Sequence, residues 1–263
     1  MNLKDFSGCV PTRLRRYAGP IGLMAIFLGL LAAPMFSPTT AAQVQPPHKN
    51  WLVAVQRNQT AQLHSGLAAQ IRAGAVDARA VDGKTALMAA AAAGDPVLLG
   101  HLIDGGADPA AVNYKGASGL IYAAWSGNTE VLQKLIDARV PLEQAASNGW
   151  TAMTMASAKG RVASVRLLLR VGAQVDPPDV YGWTPLMRAC NLERDAVARV
   201  LIDEGRASLT RINASGKTAL HLAAATGNRG LYEMLVRRGA DPETADSMGL
   251  TAKAILEAVL KGR

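Results

Sequence analysis

Apolar residues recur at helical spacing in short segments that are separated by polar stretches containing glycine. In residues 131–136 and 165–169 they lie three or four positions apart, so they share one face of a helix. A segment rich in alanine precedes each of them, as in residues 123–124 and 156–158. The pattern predicts pairs of short helices, with small side chains that let the helices approach each other closely.

These helical pairs repeat with a fixed period. Glycines in the same local setting are separated by 33, 33, 33, 34 and 33 residues. A constant period of this length is typical of stacked supersecondary units that each bury a face against the next. The marker glycines are Gly83, Gly116, Gly149, Gly182, Gly216 and Gly249.

The ends of the predicted helices carry signals of their own. A Thr precedes most first helices, where its hydroxyl can accept from free backbone N–H groups. A Gly follows most second helices, where it can adopt a positive φ. The threonines are Thr85, Thr151, Thr184 and Thr218, and the glycines are Gly106, Gly172, Gly205 and Gly239.

The repeated segment resembles the ankyrin repeat, whose Gly-x-Thr-Pro-Leu-His motif is clearest in "GWTPLMRAC" and "GKTALHLAA". The resemblance covers residues 51–263. It implies an all-α solenoid of about seven units with short β-turn fingers between them. Five units are complete, and residues 51–81 and 246–263 are degenerate caps at the two ends.

Two units depart from the pattern. Glu193 takes the position between the two helices that is Gly in other units, which predicts a strained or differently built turn. The same unit holds one extra residue near Arg206. The unit at Gly116 has Ser118 in place of the capping Thr and Arg139 in place of the terminal Gly. We expect these two units to be the least regular.

The Gly-Lys-Thr at 83–85 and 216–218 also closes a phosphate-binding loop, but the rest of that loop is absent. Such a loop needs a Gly five positions before the Gly-Lys. Those positions hold Ala78 and Arg211. The sequence therefore predicts no nucleotide site.

No other catalytic or metal-binding pattern is present, so we predict no enzymatic activity and no cofactor. Cys190 takes a small-residue core position, which indicates a buried thiol. His221 matches the histidine of the family motif, which the resemblance assigns to backbone hydrogen bonding. The remaining histidines are scattered singly, without the spacing of metal ligands.

Residues 1–42 are predicted to be a signal peptide, followed by a linker over 43–50. Basic residues precede the apolar run 21–33, and small residues lead to a cleavage site after Ala42. An uncleaved membrane anchor is the alternative, although the run is shorter than the roughly 20 residues that span a bilayer. We expect a periplasmic protein with no stable membrane span after cleavage, and secretion or N-terminal anchoring as alternatives.

The chain carries a net charge of +8, and its second half is the more basic. Seven arginines of this half fall on the predicted second helices, and a solvated outer face of those helices explains them. Attraction to anionic lipid or an acidic partner is the alternative. Nucleic acid is not expected outside the cytoplasm. The arginines are Arg161, Arg166, Arg170, Arg194, Arg199, Arg237 and Arg238.

The resemblance places partner-contacting residues on the loop tips and first helices. Exposed aromatic residues there are frequent binding anchors. For Trp150 and Trp183 the alternative is a structural role, covering neighbouring loops or stacking as a ladder. The positions are Tyr114, Lys115, Trp125, Ser147, Asn148, Trp150, Lys159, Tyr181, Trp183, Asn191 and Lys217.

The expected function is therefore that of an exported ankyrin module, monomeric, that binds a protein partner in the periplasm. Resemblance to exported bacterial ankyrin proteins implies two narrower roles, an immunity protein against a toxin or a stress-protection protein. A secreted effector that binds a host protein is the remaining alternative.

Overall fold

The computed structural model describes residues 49–262, and the predicted signal peptide and most of the predicted linker lie outside them. Within this range the chain forms thirteen α-helices and no strand beyond two isolated bridges. The helices are α1 (Lys49–Arg57), α2 (Thr60–Arg72), α3 (Ala86–Ala93), α4 (Pro96–Asp104), α5 (Gly119–Ser126), α6 (Thr129–Asp137), α7 (Ala152–Lys159), α8 (Val162–Arg170), α9 (Pro185–Asn191), α10 (Asp195–Asp203), α11 (Ala219–Thr226), α12 (Arg229–Arg237) and α13 (Ala252–Lys261).

The helices form two parallel layers. From α3 onward each odd-numbered helix packs against the next odd-numbered one, ending at α13, and α2, α4, α6, α8 and α10 pack in a second row. The helix pairing and the ankyrin-like order of elements agree with the sequence prediction. Helix α1 begins at Lys49, so the last two residues assigned to the linker belong to a helix.

Small side chains make the first layer possible. Ala90, Ala123, Ala156, Ala189 and Ala223 are all fully buried where neighbouring odd-numbered helices meet. Leucines of the even-numbered helices fill the space between the two layers, among them Leu98, Leu132, Leu168, Leu201 and Leu235. The core is therefore continuous along the stack, and each helix pair supplies one section of it.

The helix starts follow the threonine prediction. Thr85, Thr151 and Thr184 each accept a hydrogen bond from the backbone N–H three residues ahead. Thr218 forms a capping box with His221. Ser118 makes no such bond, and its buried hydroxyl has no partner, so the cap of α5 is the weak one among these.

The helix ends confirm three of the four predicted glycines and correct the fourth. Gly106, Gly172 and Gly239 have positive φ, but Gly205 does not, and Arg206 takes the left-handed conformation at φ 56°. The extra residue widens this turn, because the N–H of Ala207 bonds to the carbonyl of Leu201, six positions back instead of five. Arg139 and Glu193 hold left-handed conformations that other units give to Gly, so both units that were predicted to be irregular carry a non-glycine residue at positive φ.

The loops between helix pairs share one turn. In four of them the side-chain oxygen of an Asn or Asp accepts hydrogen bonds from two backbone N–H groups of the same loop, as Asn113 does from Lys115 and Ala117. Successive loops are then joined by one backbone bond each. The donors are Tyr114, Ser147, Val180, Ala214 and Ser247, and the acceptors are Asp82, Lys115, Asn148, Tyr181 and Ser215.

Gly149→Ala is expected to destabilise the stack by about 2–3 kcal/mol, and Gly249→Ala by about 1 kcal/mol. Both glycines have positive φ, at 81° and 77°. A Cβ at Gly149 would lie 2.7 Å from the Cα of Asp179 in the next loop, whereas nothing lies within 4 Å of one at Gly249. Urea unfolding of the two variants measures the difference, and equal losses would contradict close loop packing.

No helix within residues 49–262 has both the length and the apolar character required to cross a membrane.

Candidate functional site

A groove of about 650 Å³ runs across the loops and first helices of the N-terminal half of the stack. The loops that precede α5 and α7 supply Asn113, Lys115, Ser147, Asn148 and Trp150. Helices α5 and α7 supply its apolar floor. That floor includes Ile121, Tyr122, Trp125 and Met155.

Five of the positions selected from the sequence line this groove: Lys115, Trp125, Ser147, Asn148 and Trp150. The others lie elsewhere. Tyr114 and Tyr181 are exposed on loop tips, Lys159 and Asn191 are exposed at the ends of α7 and α9, and Lys217 and Trp183 belong to loops further along the stack. The selected set is therefore split between the groove and other parts of the repeat surface.

Trp125 is the most exposed of the aromatic residues that line the groove. It is 42% exposed near the end of α5. The Lys159 ammonium lies 5.9 Å from its ring centroid, within the range of a cation–π contact. Arg161 donates to its backbone carbonyl at 3.2 Å, which ties the end of α5 to the next helix pair. The backbone is held while the indole remains accessible.

Trp150 and Trp183 share one cationic partner. The guanidinium carbon of Arg188 lies 5.0 Å from the ring centroid of Trp150 and 4.4 Å from that of Trp183. Trp183 is also partly buried against the core. The two indoles therefore contact a common guanidinium in place of the direct indole ladder suggested by the "GW" pattern, and this favours a structural role for Trp183.

Asp179 is the acidic residue of this cluster. Its buried carboxylate pairs with Arg188 and accepts the backbone N–H groups of Tyr181 and Trp183 at 2.9 Å. Burial by itself raises the pKa of a carboxyl group, but here the bonds from Arg188 and from the two N–H groups outweigh it and hold the pKa of Asp179 below its ordinary value. The charged pair fixes both the loop and the indoles above it.

Lys84 lines the groove but was not selected from the sequence. The residue is only 8% exposed, and its ammonium lies 3.4 Å from the Asn58 carboxamide oxygen and 5.3 Å from the ring centroid of Tyr122. Among the described residues no carboxylate lies within 4 Å of it. Lys84 directly follows a marker glycine, as Trp150, Trp183 and Lys217 do, and this repeat position could have identified it from the sequence.

Tyr122 and Arg188 were also missed. They occupy equivalent positions in their first helices, 33 residues on either side of Met155. Asn113 donates to the Tyr122 hydroxyl at 3.0 Å, and burial raises the pKa of this phenol. Reading the fourth residue of each first helix as a surface position would have found both of them.

The arginines of the second half are exposed, but several are already partnered. Arg166 pairs with Glu204 at 2.8 Å, and Arg238 pairs with Asp203. Arg161 and Arg194 lie at the starts of α8 and α10 and donate to backbone carbonyls of the preceding pair. These contacts favour the solvated-face explanation over a surface that attracts lipid.

The candidate reactive groups lie in the core. Cys190 is fully buried, and burial raises the pKa of its thiol. His221 Nδ1 accepts from the backbone N–H of Thr218 at 3.2 Å, and its Nε2 lies 3.2 Å from the carbonyl oxygen of Leu250, as expected for a backbone-bonding histidine. In the part of the chain that the structure describes, no three His, Cys, Asp or Glu side chains form a metal-binding group.

Comparison with known proteins agrees with the period and the helix pairing. The family model for ankyrin repeats (three copies) matches residues 51–144, 120–213 and 181–246. No curated protein matched the chain. Since the matches together extend over most of the chain, and the helix pairs repeat through the same region, the protein belongs to the ankyrin-repeat family.

Proposed function

We propose that this ankyrin-repeat protein is exported and binds a protein partner in the periplasm through the groove that Trp125 lines. Ankyrin repeats are in general protein-interaction modules and are typically non-catalytic. The observation that carries the proposal is the groove itself, which presents the accessible Trp125 indole and the exposed Lys115 beside an apolar floor formed by α5 and α7.

The composition of the groove suits a protein ligand. Interface centres are enriched in aromatic residues and Met, and the lining of this groove holds Tyr122, Trp125, Trp150 and Met155. The exposed carboxamide of Asn148 at its side can form hydrogen bonds to a partner backbone. An apolar floor with a polar rim is the usual arrangement of a specific interface.

Export is supported by the sequence of residues 1–42, where basic residues, an apolar run and small residues follow one another in the order of a signal peptide. In the periplasm the partner would be a resident enzyme or a toxin that the protein inhibits or supports. Binding of a host protein after further export is the competing role.

Trp125→Ala is expected to weaken partner capture by at least about 30-fold, the effect of losing a binding hot spot of about 2 kcal/mol. The measurement is crosslinking and pull-down from the periplasmic fraction, with the recovered protein expected to begin at Gln43. Tyr181→Ala is the matched control, because this exposed aromatic residue lies on a loop tip outside the groove lining.

Equal capture by the wild type and Trp125→Ala, with loss for Tyr181→Ala, would move the binding surface to the loop tips. Absence of the protein from the periplasmic fraction would contradict export. A captured toxin or enzyme would identify which of the narrower roles the protein has.

A further inference from the structure

The groove holds a buried ammonium group, that of Lys84, which forms no ion pair with any carboxylate in residues 49–262. The Lys84 ammonium has a carboxamide oxygen and an aromatic ring beside it, and neither carries a full negative charge. Asp82 lies two residues away, but it accepts the backbone N–H of Lys84 at 3.1 Å and forms no ion pair with the ammonium. Lysine is rarely buried to this extent without a carboxylate partner.

The charge of the groove lining also favours a negatively charged ligand. Lys115 is exposed on the loop that forms one side, and within residues 49–262 no Asp or Glu side chain lines the groove. The lining therefore offers two ammonium groups, carboxamides and an aromatic floor. Its chemistry is complementary to a ligand that carries a carboxylate next to apolar groups.

We propose that the groove binds an acidic segment of the partner protein, in which an Asp or Glu carboxylate pairs with the Lys84 ammonium and a neighbouring apolar side chain lies against Trp125. The inference rests on the proposed function, because it names the chemistry of the ligand for the same groove. Pairing would neutralise the buried ammonium on binding, and Lys115 at the exposed side would attract further carboxylates.

The choice of Lys84 as the anchor has a consequence for stability. A methionine at this position keeps most of the aliphatic chain of lysine and removes a buried charge that pairs with no carboxylate in the part of the chain that the structure describes. Lys84→Met should therefore fold and keep a melting temperature no lower than that of the wild type, while losing the acidic ligand. Residues that sacrifice stability in this way are frequent at functional sites.

The test uses a displayed library of random dodecapeptides that lack a free carboxyl terminus, so that any carboxylate selected comes from a side chain. The wild-type protein is expected to select peptides rich in Asp and Glu whose affinity falls as salt is raised. Lys84→Met should weaken the binding of these peptides at least tenfold. Lys217→Met is the matched control, since Lys217 has the same repeat position outside the groove, and it should change affinity less than twofold.

Lys115→Met provides a second test at an exposed position where folding is not at risk, and it should weaken binding in low salt. Groove peptides that depend on Trp125 but show no acidic enrichment, or that bind Lys84→Met as tightly as the wild type, would overturn this inference and leave the proposed function standing. Failure to select any peptide that depends on Trp125 would overturn both.

Discussion

Replacing Leu168 with Asp is expected to lower the free energy of unfolding by more than about 4 kcal/mol and to divide the stack into two parts. Leu168 is fully buried in α8, which packs against α6, α7 and α10. A carboxylate there has no partner, so α8 should leave the stack. Because each pair contacts only its neighbours, the pairs on either side should then unfold separately.

Urea unfolding should show a broad or two-step transition, and hydrogen exchange should rise first in α7–α10. Ala163→Asp is the matched control, because it introduces the same carboxylate at an exposed position of the same helix. It should leave stability within about 0.5 kcal/mol of the wild type. A single sharp transition for Leu168→Asp near that of the wild type would contradict the arrangement of helices described above.

Asp179→Ala is expected to cost about 3–5 kcal/mol, the usual effect of removing one partner of a buried ion pair. The variant leaves the Arg188 guanidinium without its carboxylate and leaves the N–H groups of Tyr181 and Trp183 without an acceptor. Asp179→Asn should cost less, because Asn113 and Asn213 hold the same loop turn through a carboxamide oxygen. Urea unfolding of both variants separates the ion pair from the turn.

The Asp179 pair should also contribute to acid sensitivity. The pKa of Asp179 in the folded protein lies below its ordinary value near 4, so the unfolded chain takes up this proton at a pH where the folded protein does not. The stability from this group is full above about pH 5 and falls as the pH drops through the folded-state pKa. In Asp179→Asn this part of the pH dependence should be absent, and an unchanged acid limb would show that the pair makes no contribution.

The repeat architecture could be predicted from the sequence because its signals are local. Marker glycines, capping threonines and apolar spacing each depend on a few neighbouring residues, and the structure has the helix pairs that they indicate. Gly205 was predicted wrongly for the opposite reason. One inserted residue widened the turn and transferred the left-handed conformation to Arg206, and a glycine's neighbours in sequence do not reveal which of two adjacent residues will take it.

The site was harder to predict because its contacts join different units. Arg188 contacts Trp150 of the preceding unit, and Lys84 contacts Tyr122 and Asn58, across sequence separations that no local pattern records. Lys84 in particular stands in a Gly-Lys-Thr motif that lacks the rest of a phosphate-binding loop, so the motif predicts no ligand contact for it. Comparing equivalent positions across units, column by column, is the step that brings these residues together.

The bonds between successive loop tips suggest how such a surface can evolve. Their donors are the backbone N–H groups of an aromatic, two hydroxyl-bearing, one β-branched and one small residue, at Tyr114, Ser147, Ser247, Val180 and Ala214. The side chain at the tip is therefore indifferent to the bond that holds the loop. Descendants of this chain can therefore change the residues at the loop tips, and with them the ligand that is bound, while the bonds that hold the scaffold together are kept.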